Sequence, residues 1–104
     1  MAMKDVTSEE YKEQKEEGLK IVDLWAPWCG SCKMLNPTVE GLASEYENDL
    51  DILKVNIDEE EDIASELDVM SIPTLVFFKD GELVEKITGF QPKEKIQQLI
   101  EKHK

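Results

Sequence analysis

The only two cysteines of the 104 residues, Cys29 and Cys32, lie one helical turn apart in Trp28-Cys29-Gly30-Ser31-Cys32-Lys33. Two thiols at this spacing suit exchange with a disulfide. One thiolate attacks a disulfide sulfur, a mixed disulfide forms, and the second thiol resolves it. The motif follows the apolar run Ile21-Val22-Asp23-Leu24-Trp25-Ala26, where a strand should hand over to a helix. A helix starting at Cys29 sets that sulfur against free backbone N–H groups and the positive end of the dipole, which lowers its pKa toward neutrality. Cys29 is therefore expected as the nucleophile and the more exposed thiol. Cys32, on the same helix face, is expected as the resolver. Gly30 is expected to let the backbone turn tightly between them.

A Cys-x-x-Cys can also be half of a zinc site or a pair of inert thiols. Zinc wants four ligands, yet there is no second cysteine pair and the single histidine is His103, so no metal is expected. A bridge closing so small a loop would constrain the unfolded chain little, which argues against a purely structural disulfide. The glycines are too scattered for a dinucleotide fingerprint, and no cofactor is expected.

The chain has 24 acidic and 12 basic residues, all of the latter lysine, for a net charge of −12. Such a surface disfavours nucleic acid and anionic membranes. It suits plain solubility or partners with a basic docking face. The start, Met1-Ala2-Met3-Lys4-Asp5-Val6, has no apolar core of a signal peptide, and no stretch approaches the ~20 apolar residues of a membrane helix. A cytoplasmic monomer is the expectation, in one domain over residues 1–104.

The elements that must position the cysteines are legible in outline. Thr7-Ser8-Glu9-Glu10 has capping-box form and predicts a polar helix to about Glu17, stopped at Gly18. Lys20–Ala26 reads as a strand buried on both faces. The following helix carries Met34, Leu35, Val39, Leu42, Ala43 and Tyr46 at helical spacing, with a kink expected at Pro37. Asp51–Ile57 reads as a second central strand. Glu60–Leu67 reads as a short acidic helix with Ile63, Ala64 and Leu67 inward. Thr74–Lys79 and Glu82–Thr88 flank the hairpin signal Asp80-Gly81. Gly89 ends the second of these, and Pro92 opens a last helix whose inner residues are Ile96, Leu99 and Ile100. A short strand at Met3–Val6 would complete the set. The pattern is an α/β fold with a mixed four- or five-stranded sheet and helices on both faces.

These residues resemble the thioredoxin family. The resemblance rests on Asp23-Leu24-Trp25-Ala26, Trp28-Cys29-Gly30-Ser31-Cys32-Lys33, Pro37, Ile72-Pro73-Thr74 and Gly89, in order and at matching spacing over nearly the whole chain. It implies the thioredoxin fold and a redox-active Cys29–Cys32 disulfide. It implies a protein-disulfide reductase acting on disulfide-containing proteins and recycled by a thioredoxin reductase. It implies that Asp23 is a buried acid/base for Cys32, tuned by Lys54. On the residues alone, Asp23 could sit at an exposed strand edge and Lys54 could snorkel from its strand. Pro73 would be cis, and the Ile72 backbone would pair with an extended substrate. Trp28, Gly30, Ser31, Met70, Ser71, Gly89 and Phe90 would border the substrate. Trp28 could also be an ordinary packed tryptophan, Trp25 reads as core, and Phe90 could staple the last helix instead.

Ser31 replaces the family's proline. It adds backbone freedom and a hydroxyl near the sulfurs, so a couple less reducing than the ~−270 mV of thioredoxin is expected. That leaves a disulfide isomerase or oxidant as an alternative. A non-catalytic docking module is another.

Overall fold

The computed structural model describes residues 3–104. The chain runs β1 (Met3–Asp5), α1 (Ser8–Gln14), β2 (Leu19–Trp25), α2 (Gly30–Glu45), β3 (Leu50–Asn56), α3 (Glu61–Glu66), β4 (Thr74–Lys79), β5 (Glu82–Thr88) and α4 (Lys93–His103). The five strands form one mixed sheet in the order β1-β3-β2-β4-β5. β3 is parallel to both β1 and β2, whereas β4 is antiparallel to β2 and β5.

Two cores sandwich the sheet, and strand parity separates them. Leu19 and Ile21 of β2, Leu50 and Ile52 of β3, and Leu75 and Phe77 of β4 meet Leu35, Val39 and Leu42 of α2 and Ile96 and Ile100 of α4. The alternate residues Val22, Leu24, Leu53, Val55, Val76 and Phe78 meet Tyr11 of α1 and Ile63 and Leu67 of α3 and its C-terminal end. β2 lies at the centre and is buried from Leu19 to Leu24, as a strand covered on both faces must be.

The capping box is present: Thr7 Oγ1 accepts from Glu10 N–H, and the Glu10 carboxylate accepts from Thr7 N–H. The helix nonetheless ends at Gln14, short of Glu17. Gly18, at φ +70, is held by Asp80, whose carboxylate accepts from its N–H at 2.7 Å and whose own N–H donates to its carbonyl at 2.9 Å. That cross-link anchors the chain at the entrance to β2. The central strands each begin and end one residue earlier than expected, and α3 is one residue shorter at each end. Met34 is not part of the buried stripe but two-thirds exposed. The helix runs continuously through Pro37.

Candidate active site

The central strand β2 ends at Trp25, and the loop from Ala26 leads to Cys29, the N-cap of α2. Cys29 N–H donates to Ala26 O at 3.1 Å, and the Cys29 sulfur accepts from Cys32 N–H at 3.2 Å. The two sulfurs are joined as a disulfide. Both cysteines are 6% exposed, so exposure does not separate them, contrary to expectation; the helix N-terminus does. Gly30 adopts ordinary helical backbone and a Cβ there would meet nothing, so no tight turn demands glycine. Ser31 Oγ lies 3.6 Å from Cys29 Sγ.

Ala26 and the two cysteines form a small apolar cluster, against which Trp25, Ile57 and Ile72 pack. The Ile72–Pro73 peptide is cis. Thr74 Oγ1 donates to Ser71 O at 2.7 Å, and Gly89 N–H, at φ +88, donates to Pro73 O at 2.7 Å. Trp28 is not an ordinary packed residue. It is two-thirds exposed, and its indole N–H donates to Asp58 at 2.9 Å, a partner that the sequence did not suggest. Asp58 is in turn held by its own N–H donating to Asn56 Oδ1. Trp28, Ile57, Val69, Met70, Ser71 and Ile72 line an apolar groove of about 300 Å³. Met70 is 92% exposed, and Phe90 is half exposed rather than stapled to the core.

Asp23 is buried at 4% exposure and faces α2, directly opposite Lys54 in the β2–β3 register. Burial pushes its carboxyl up to about 6; Lys54 opposes the shift and Asp5 adds to it. Asp23 and Lys54 share a cavity of about 190 Å³ with Trp25, Cys32, Lys33 and Asn36. Trp25, partly buried against the cysteine cluster, is thus also a wall of this cavity. Asn36 and Trp25 are site residues that the sequence does not reveal, because residue types alone do not show which part of α2 lies across Asp23.

A family model described as Thioredoxin matches residues 2–102. The chain belongs to the thioredoxin family. It is 50% identical over 103 residues to the thioredoxin of Staphylococcus haemolyticus, and the match covers 99% of each chain. It is 48% identical, again over 99% of each, to that of Staphylococcus aureus. Among solved structures it is similar to a mutant thioredoxin from Halobacterium salinarum (TM-score 0.91, 36% identity, covering 97% of this chain and 89% of that one). A Malassezia sympodialis thioredoxin superposes with TM-score 0.90 at 30% identity, over 99% of this chain and 90% of that one. With its bonded Cys29–Cys32 pair in a Trp-Cys-Gly-x-Cys motif, this member of the thioredoxin family is a thiol–disulfide oxidoreductase of the protein-disulfide reductase kind. Among the described residues, no helix is long and apolar enough to cross a membrane.

Proposed function

We propose that the reductase works through Cys29 as nucleophile, Cys32 as resolver and Asp23 as proton carrier. The observation that carries this reading is the place of Cys29 at the N-cap of α2, with the Cys32 N–H aimed at its sulfur. Backbone N–H groups and the helix dipole favour a thiolate there. The Cys29 thiolate attacks one sulfur of the target disulfide. That bond breaks, the displaced target thiolate takes a proton from solvent, and Cys29 is left in a mixed disulfide. The Cys32 thiol gives its proton to Asp23 and attacks the Cys29 sulfur, and the second target thiolate leaves. Two electrons have passed to the target, and the Cys29–Cys32 pair ends as a disulfide. Asp23 returns its proton through the cavity it shares with Lys54.

The groove beside Trp28 would take an apolar side chain of the target, with Met70 and Ile72 on one wall. Gly30, Ser31, Ser71, Pro73, Gly89 and Phe90 would form the rest of the docking rim. An external thioredoxin reductase would supply two electrons per cycle. Since the whole site is built from one chain, a monomer suffices, and a reducing cytoplasm would keep it cycling as an electron carrier. A docking module would have no use for a buried carboxyl beneath a dithiol. An isomerase or oxidant would rest on Ser31 alone.

Limited alkylation of the reduced protein across pH, mapped by mass, tests the assignment. Cys29 should label at lower pH than Cys32; the reverse order would exchange the two roles.

A further inference from the structure

Lys54 stands between two carboxylates in its row of the sheet. Asp5 is its partner on β1 and Asp23 its partner on β2. An ammonium so placed is expected to close on one of them. Among the described residues it makes an ion pair with neither. Its Nζ lies instead 4.6 Å from the centroid of the Trp25 indole. Trp25 is two residues beyond Asp23 on β2, which puts both on the same face of the strand, and it lines the same cavity. Its Nε1 is buried and has no hydrogen-bond partner among the described residues, and the ammonium lies over the ring face.

We infer that Trp25 is a positioning residue, holding the Lys54 ammonium on its indole face and away from the Asp23 carboxylate, so that Asp23 can both take and release a proton. The inference rests on the reading of Asp23 as proton carrier. The negative face of an indole attracts a cation more strongly than any other aromatic side chain does. A carboxylate in contact with an ammonium would be held ionised and would make a poor proton acceptor. Held over the ring, Lys54 acts on Asp23 only through space and offsets part of the effect of burial. Of the charged groups around Asp23, Lys54 is the cation directly opposite it in the sheet and the one that acts on its carboxyl. Asp5 lies beyond Lys54 on β1, Lys33 reaches the cavity from α2, and β4 presents the uncharged Leu75.

The test is a carbon-13 NMR titration of the Asp23 carboxyl in the oxidised protein, with Trp25→Leu, Lys54→Met and the double variant. Trp25→Leu should free Lys54 to pair with Asp23 and lower the midpoint by roughly one pH unit. Lys54→Met should raise it. In the Lys54→Met background, Trp25→Leu should move it by no more than about 0.3. A role in packing alone would move the midpoint upward or not at all, or would give the same shift with and without Lys54; any of these overturns the inference. If Trp25→Leu does not fold, Trp25→Phe carries the same cycle, its weaker face giving a smaller downward shift that also vanishes without Lys54. Single-turnover release of the mixed disulfide, followed across pH in the same variants, separates the two layers. A rate profile that ignores the NMR midpoint would overturn Asp23 as proton carrier and, with it, the function assigned to Trp25. An NMR cycle without coupling would overturn Trp25 alone.

Discussion

Asp23 and Lys54 face each other across β2 and β3 on the side covered by α2, yet they do not close into an ion pair. The carboxyl is therefore buried without a contact counter-ion among the described residues, and burial pushes its pKa up to about 6. In the unfolded chain it would titrate near ~3.9. Below that value both states are protonated and burial costs nothing. The penalty grows as pH rises between the two values and is complete above the folded one, at on the order of 3 kcal/mol. Asp23→Ala should accordingly melt several degrees higher at pH 7.5 and nearly unchanged at pH 4, the small cavity it leaves offsetting part of the gain. Thermal melts at the two pH values check this.

The same substitution should slow resolution of the mixed disulfide. With Asp23 in place, the rate should fall as pH drops through about 6, because a protonated carboxyl cannot accept the Cys32 proton. Asp23→Asn should lose that inflection and slow the step by roughly 100-fold near neutrality. Stopped-flow release from a preformed mixed disulfide reads both effects.

Ser31 Oγ is close enough to Cys29 Sγ to donate a hydrogen bond to the thiolate of the reduced form. Such a bond stabilises the dithiol state and makes the couple less reducing. Ser31→Ala should shift the potential downward by roughly 10–30 mV, the equivalent of about 0.5–1.4 kcal/mol. Ser31→Pro should shift it the same way. Equilibration against glutathione measures the change, and an unchanged potential would show that the hydroxyl does not tune the couple.

Met70 presents nearly its whole side chain to solvent at the wall of the groove that Trp28 also lines. A residue so placed contributes little to the fold and can bury apolar area only against a partner. Met70→Ser should raise KM for a target with an apolar residue beside its disulfide by about five- to tenfold, leave kcat nearly unchanged and leave the melting temperature within about a degree. Steady-state reduction of matched peptides separates these parameters.

The local devices of the fold are legible because short-range chemistry specifies them. The Thr7–Glu10 box, the Asp80-Gly81 turn with both φ values positive, and Pro92 before α4 all do what their residue types dictate. What escapes the sequence depends on distant partners. The anchoring of Gly18 at the entrance to β2 depends on Asp80, 62 positions away. The orientation of Trp28 depends on Asp58, 30 positions away. Trp25 reads as core because nothing in Ile21–Ala26 shows the cavity between β2, β3 and α2 that it lines beside Asp23 and Lys54. The equal burial of Cys29 and Cys32 likewise follows from Ile57 and Ile72, which come from other loops.

Trapping the intermediate tests the assignment of nucleophile most directly. Cys29→Ser and Cys32→Ser are each mixed with a disulfide-bonded peptide, quenched in acid and mapped by mass. Cys32→Ser should accumulate the peptide on Cys29 within the time of one turnover, while Cys29→Ser should accumulate little or none on Cys32. Equal trapping on both, or trapping on Cys32 alone, would contradict the placing of the nucleophile at the N-cap of α2.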